Sequence, residues 1–286
     1  MRTSLEKAVD DIKSVKIQGA KEIAVYSLNF LRKYCKRHGF GLKFEVVAWK
    51  LEEARPTAVV LHNCMEILKK KKSLRTIDRL LRQLDQSTKR IAENGSRLIK
   101  NNYKIMTHCH SGEALSVIKK AWKNGKKISV IATETDPLEQ GVKTAKELNK
   151  EGIPTTLITD SAAGHFVKEV NCVIVGTDSI RKEGIINKTG TYHLALAAKD
   201  KRKPFYVVGN SLKFDKREKL IIEERPANEV YNELLRPCKS CGIKINRMKG
   251  IKMRNPAFDV VPWKFVSALV TEKGIMKPPR ILKMFK

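Results

Sequence analysis

An α/β protein is predicted, with a helical N-terminal domain followed by an open, doubly wound parallel sheet. Two changes of rhythm along the chain predict it. Over the first hundred residues apolar side chains recur at the spacing of amphipathic helices. Beyond that point short β-rich runs alternate with helix-period stretches that end in glycine. That is the pattern of βαβ units, whose strands pair in parallel. The shift places a helical domain at 1–100 and a doubly wound domain at 101–286.

Taken in order, Leu5, Val9 and Ile12 mark the first helix, and Ile23, Leu28, Leu31 and Tyr34 a second. Leu74, Ile77, Leu81 and Leu84 mark another, and such stripes are core-facing. YKIMTHC opens the α/β part, followed by GEALSVIKKAWKNG as helix, KISVIAT as strand and GVKTAKELNKEG as helix. TTLIT, NCVIVGT and KPFYVVG supply three more strands, and Gly125, Gly152 and Gly184 punctuate the connections. No GxGxxG follows the first strand, so the dinucleotide fingerprint is missing. No internal repeat or low-complexity segment interrupts the chain.

Bulk properties narrow the class. With 286 residues, 42% of them apolar, the chain can bury a sizeable core. Its apolar runs are too short to span a bilayer. The opening MRTSLEKAVDD has no apolar segment of a secretory signal. Of six cysteines, Cys35, Cys64, Cys109 and Cys172 are scattered singly, which fits a reducing cytoplasm. Cys238 and Cys241 form one CxxC without a second and read as incidental thiols in a late loop. The net charge of +28 suits a polyanion, or belongs to a lysine-rich, hot or salty cytoplasm. The lysines are spread along the chain, and only Lys69 to Lys72 form a run. Aromatic residues, at 6%, leave little for base stacking. A small anion such as a phosphate ester is expected rather than nucleic acid, and a membrane is not expected.

In open α/β sheets ligands sit outside the carboxyl ends of the strands. That rule selects Cys109, His110, Ser111, Glu134, Asp160, Ser161, Asp178 and Lys213 for one crevice. In THCHSGE, His108, Cys109 and His110 are consecutive and alternate faces if the strand continues, and zinc-type spacing is missing, so no metal is expected. A cysteine at a strand end before a helix start meets N–H groups and a dipole that favour the thiolate. It could serve as nucleophile or proton carrier, and a buried strand cysteine would carry the same local sequence. Asp178 follows an apolar strand, where desolvation makes a carboxyl group a useful acid or base; the same position suits an N-cap. NKTGTY (187–192) offers either a phosphate cradle at a helix start or a capped helix with a surface lysine.

Seven strings stand in order: RPTAV (55–59), THC (107–109), TE-x-x-P-x-x-QG (133–141), ITDSAA (158–163), G-x-D-x-I (176–180), NK-x-GT (187–191) and RNPAFDV (254–260). Together they resemble the initiation factor 2B α/β/δ-like superfamily, over nearly the whole chain. That superfamily includes methylthioribose-1-phosphate isomerase and archaeal ribose-1,5-bisphosphate isomerase. The resemblance implies a helical domain joined to a Rossmann-like domain. It also implies Cys109 and Asp178 as a proton-transfer pair that the regulatory members generally do not both keep. Chain size and the ITDSAA and NSLKF segments look most like the archaeal isomerase. The implied reaction is ribose 1,5-bisphosphate to ribulose 1,5-bisphosphate through a cis-enediol, with Cys109 accepting and Asp178 donating the proton. No metal or other cofactor is implied.

Substrate-binding positions carried over by the resemblance are Gly19, Ala20, Arg55, Ser111, Gly112, Glu113, Asn187, Lys188 and Lys213. Arg55, Lys188 and Lys213 would supply charge for two phosphates. The implied setting is archaeal, cytoplasmic nucleotide (AMP) salvage, between a nucleoside monophosphate phosphorylase and a ribulose-bisphosphate carboxylase. A homo-oligomer built from dimers is also implied, with RNPAFDV and TEKGIMKPPR near the subunit contact. The family pattern fails at four positions. Gln18, Asp136 and Gly164 stand where arginine is usual, and His110 stands where asparagine is usual. Each arginine lost from a phosphate contact costs about 1–3 kcal/mol. A methylthioribose-1-phosphate isomerase, with one phosphate to hold, needs fewer arginines. A non-catalytic regulatory subunit that binds translation factor 2 needs none.

Overall fold

The structure, a computed structural model, describes residues 4–14, 16–17, 19–230 and 252–285. Five helices come first: α1 (Ser4–Lys13), α2 (Ala20–His38), α3 (Leu42–Glu53), α4 (Val59–Lys70) and α5 (Leu74–Ser96). The sequence stripes mark α1, α2 and α5. Ser73 starts α5 by accepting the Thr76 N–H at 3.1 Å, an N-cap. Leu28, Leu31, Leu51, Leu61, Met65, Leu68 and Ile77 are buried together among these helices, and Leu212 reaches in from the α/β part. Further along α5, Ile91 leaves this core and packs with α6 beneath the sheet.

The sheet alternates with helices as the sequence predicts: β1 (Tyr103–Thr107), α6 (Gly112–Lys123), β2 (Ile128–Thr133), α7 (Gln140–Lys150) and β3 (Thr155–Ile158). After these come α8 (Ala163–Phe166), β4 (Cys172–Val175), β5 (Ser179–Ile180), β6 (Gly184–Lys188), α9 (Thr191–Asp200) and β7 (Phe205–Val208). The chain closes with β8 (Phe258–Pro262), β9 (Ala268–Thr271), β10 (Gly274–Met276) and α10 (Pro278–Leu282). The strand order of the large sheet is β10-β9-β7-β4-β1-β2-β3. Its strands are parallel except β10, which runs antiparallel to β9 and makes that edge mixed. Side chains alternate between two cores, as a strand buried on both faces requires. Ile105, Val130 and Ile174 face α5 and α6, whereas Met106, Ile131, Val173 and Val175 face α8 and α9.

From β1 the chain builds outward through β2 to β3, then crosses to β4 on the other flank of β1. The topological switch point therefore lies between the carboxyl ends of β1 and β4, where doubly wound sheets open a crevice. A second, antiparallel sheet, β5-β6-β8, sits beside it. The sequence gives no sign of that sheet, because β5 has two residues and β8 comes from far along the chain.

One glycine shows how tightly the β2–α7 connection is drawn. A Cβ on Gly141 would lie 1.6 Å from the Thr133 carbonyl oxygen. Gly141→Ala is expected to push α7 off the end of β2 and lower stability by about 1–3 kcal/mol, read as the shift of the urea midpoint.

Candidate active site

A cavity of about 290 Å³ opens at the switch point, between the helical layer and the ends of β1 and β4. All eleven residues carried over by resemblance line it: Gly19, Ala20, Arg55, Cys109, Ser111, Gly112, Glu113, Asp178, Asn187, Lys188 and Lys213. Its size is at the small end of ligand pockets, roughly 300–1,000 Å³, and suits a small polar molecule. Six cations (Lys21, Arg55, Lys143, Lys188, Lys213, Arg225) face three acids (Glu22, Glu113, Asp178) in the wall. The first turns of α2 and α6 both end at the cavity, and a helix N-terminus favours an anion.

Several of these charges are already matched. Arg55 bonds Glu223 at 3.2 Å, and Arg225 pairs with Glu223 and Glu229. Lys213 and Glu113 form a buried ion pair, and Asn210 adds its side-chain N–H to Glu113 at 2.7 Å and its backbone N–H at 3.1 Å. Burial pulls the Lys213 pKa down, but Glu113 and Asp178 outweigh it and hold the ammonium above its ordinary value. Lys188, on β6, lies 5.4 Å from the Phe258 ring centroid, with no carboxylate within ion-pair distance among the described residues. With Lys21 and Lys143, it lines the cavity outside the ion pairs just described.

Cys109 follows β1 and takes a left-handed backbone, φ 69°. Its thiol donates to Gln140 Oε1 at 3.5 Å. Burial pushes the thiol up to about 11; Lys188 and the His110 N–H oppose this, and Asp178 and Asp160 add to it. This corrects the expectation of a ready thiolate: desolvation outweighs the nearby helix start, and the resting group is a thiol. Modification of Cys109 by iodoacetamide, read by mass spectrometry of its peptide, should rise about tenfold per pH unit from pH 7 to 10. A plateau near pH 9 would contradict the assignment.

Asp178 lies beyond β4. It caps no helix, since the next element is β5 and its own N–H bonds the Ile186 carbonyl at 2.8 Å. Burial raises its carboxyl pKa, aided by Glu113, against the pull of Lys213, Lys188 and Arg55. Both candidate proton carriers are therefore biased toward their neutral forms.

The other strand-end residues divide. His108 is buried, with Nδ1 2.6 Å from Thr133 Oγ1 and Nε2 2.9 Å from the Thr189 carbonyl. It straps three strand ends together. His110 lines the cavity, with Nδ1 3.0 Å from Thr144 Oγ1. Glu134, Asp160 and Ser161 do not line the cavity, correcting the one-crevice reading. For Asp160 and Ser161 the reason is topological, since they follow β3, the sheet edge, two strands from the switch point; Glu134 follows β2 and gathers with Asp160 instead. Asp136, at the position of a usual arginine, gathers with Glu134 and Asp160 outside the wall, so its charge does not face the cavity.

The phosphate cradle at the start of α9 is filled by the protein itself. Asp259 Oδ2 accepts the N–H groups of Gly190 and Tyr192, each at 2.9 Å. Only Asn187 and Lys188 of that motif reach the cavity. Lys21, Glu22, Lys143 and Arg225 line it without a sequence signal beyond proximity to the motifs, and Gln140 lies within TE-x-x-P-x-x-QG. Gln18, Cys238 and Cys241 lie outside the described residues. Among those residues, no helix is long and apolar enough to cross a membrane.

Comparison with known proteins agrees with this architecture. Residues 16–278 match the model of the initiation factor 2 subunit family. The ribose 1,5-bisphosphate isomerase of Archaeoglobus fulgidus is 39% identical, covering 95% of this chain and 89% of its own. The methylthioribose-1-phosphate isomerase of Acetivibrio thermocellus is 37% identical, covering 96% and 88%. Among solved structures, the Pyrococcus horikoshii OT3 translation initiation factor eIF-2B superposes with a TM-score of 0.83 at 28% identity, covering 99% of this chain and 100% of that one. With the matched motifs in order and the cavity residues in place, this chain belongs to the initiation factor 2 subunit family.

Proposed function

We propose that this protein is an aldose–ketose isomerase that converts ribose 1,5-bisphosphate to ribulose 1,5-bisphosphate. The observation that carries the reading is the pair Cys109 and Asp178. They stand across the switch point in one cavity, both biased by burial toward their protonated forms. Isomerisation needs an acid and a base on either side of the C1–C2 bond.

As the C1–O4 ring bond breaks, O4 takes the Asp178 proton. The C2 hydrogen leaves as a proton to the Cys109 thiolate, giving a cis-enediol-type intermediate. Cys109 then returns a proton to C1, while the C2 hydroxyl gives its proton to the Asp178 carboxylate. Both groups are restored and no atom is gained or lost. The reacting thiolate is the minority form, and Lys188 is the charge that favours it. Lys21, Lys143 and Lys188, outside the ion pairs of the wall, and the starts of α2 and α6 provide for two anionic ends.

A second reading rests on Leu138 and Phe258, which add apolar surface to the same wall and suit a methylthio group. The test is kcat/KM on ribose 1,5-bisphosphate and on methylthioribose 1-phosphate, measured side by side. Preference for the bisphosphate supports the proposal. Preference for the other sugar keeps the proton chemistry and changes the substrate. Turnover of neither, with capture of translation factor 2 at physiological salt, would make the chain a regulatory subunit.

A further inference from the structure

Two residues around the cavity hold strained backbone, and they are bonded to each other. Cys109 has φ 69° and Thr135 has φ 62°. Left-handed backbone is disfavoured for L-residues, and for a β-branched residue it is a clear outlier. Such strain persists only where neighbours hold it, and it gathers at functional sites. Here the holding groups are visible. The Cys109 N–H donates to Thr135 Oγ1 at 2.8 Å, and Thr144 Oγ1 donates to the Cys109 carbonyl at 2.9 Å. Thr135 and Thr144 are both fully buried. The peptide groups on both sides of the thiol are thus pinned by hydroxyls from the β2–α7 loop and from α7.

Thr135 is itself fastened. Its N–H donates to Asp160 Oδ1 at 2.9 Å, and the next N–H, of Asp136, donates to Asp160 Oδ2 at 2.8 Å. Asp160 lines no part of the cavity; it reaches the thiol through this chain of bonds and through its charge, which adds to the raised thiol pKa. We propose that Thr135, seated by Asp160, is a positioning residue: it holds Cys109 in the left-handed conformation that aims the thiol into the cavity. Without the Oγ1 acceptor, the Cys109 N–H loses its partner and the residue relaxes toward ordinary backbone. That swings Cβ and the sulfur away from Gln140 and the cavity floor.

The inference rests on the reading of Cys109 as the proton acceptor, so its test includes a readout that needs no substrate. Thr135→Val keeps the shape and removes the oxygen; Thr135→Ser keeps the oxygen. In Thr135→Val the freed thiol is better solvated, and its iodoacetamide modification at pH 8 should rise about tenfold, with the pH midpoint moving down. In the isomerase assay kcat should fall about tenfold or more, with KM within about twofold. Thr135→Ser should restore both readouts to wild-type values. A folded Thr135→Val protein with wild-type modification and wild-type kcat would overturn the proposal. If Thr135→Val does not fold, Thr135→Ala decides it by the same readouts, because it removes the acceptor oxygen with less bulk and leaves the Asp160 charge in place. Unchanged modification there would also overturn it. If the wild type isomerises no sugar phosphate, the modification contrast still decides whether the clamp exists, separately from the failure of the functional reading.

Discussion

Replacing Cys109 by serine should lower kcat for sugar-phosphate isomerisation by about 10²–10⁴-fold, the usual worth of a positioned acid–base group. The thiol stands at the end of β1, over the switch point, with Asp178 at the end of β4. Burial already raises the thiol to about 11, and a serine hydroxyl in the same place would be harder still to ionise. The substitution leaves Arg55, Lys188 and the start of α6, the proposed phosphate-binding groups, untouched, so KM should change little. A Cys109→Ser protein with kcat within about threefold of wild type would remove the thiol from the mechanism.

Removing one partner of the buried Lys213–Glu113 pair should have the largest effect on stability. Both side chains are nearly inaccessible, and Glu113 also takes two hydrogen bonds from Asn210. Lys213→Met leaves a buried carboxylate without its counter-charge and should cost about 3–5 kcal/mol, read from urea unfolding. The double replacement Glu113→Gln with Lys213→Met should recover most of that loss, since no buried charge remains. The sign of the pH dependence follows from the raised Lys213 pKa. Its contribution is fully present below the unfolded lysine value of about 10.4 and is lost as pH rises through the folded value. A Lys213→Met protein as stable as wild type at neutral pH would show that the pair carries no net stabilisation.

The legible parts of this protein are those set by local periodicity. Parallel strands buried on both faces read as apolar runs, so β1, β2, β3, β4 and β7 were visible in YKIMTHC, KISVIAT, TTLIT, NCVIVGT and KPFYVVG. The strand-end rule then brought Cys109, Asp178 and Lys213 to one cavity. The same rule overreached at Asp160 and Ser161, because it does not say which strand is an edge. Tertiary effects were not legible. The thiolate expectation for Cys109 considered the helix start but not the depth of burial. The cradle at Gly190 was already filled by Asp259, a carboxylate supplied by β8. Glu113 and Lys213 carried no mark of being each other's partner, being far apart in the chain. The short β5, β6 and β8 strands pair across long separations that periodicity does not encode.

The most direct test of the central claim is a proton NMR time course of purified protein with ribose 1,5-bisphosphate, run in parallel for wild type and Cys109→Ser. The account predicts ribulose 1,5-bisphosphate from the wild type, with the signal of the new C1 hydrogens growing in, and almost none from the mutant. Conversion at equal rates by both proteins, or by neither, would contradict it.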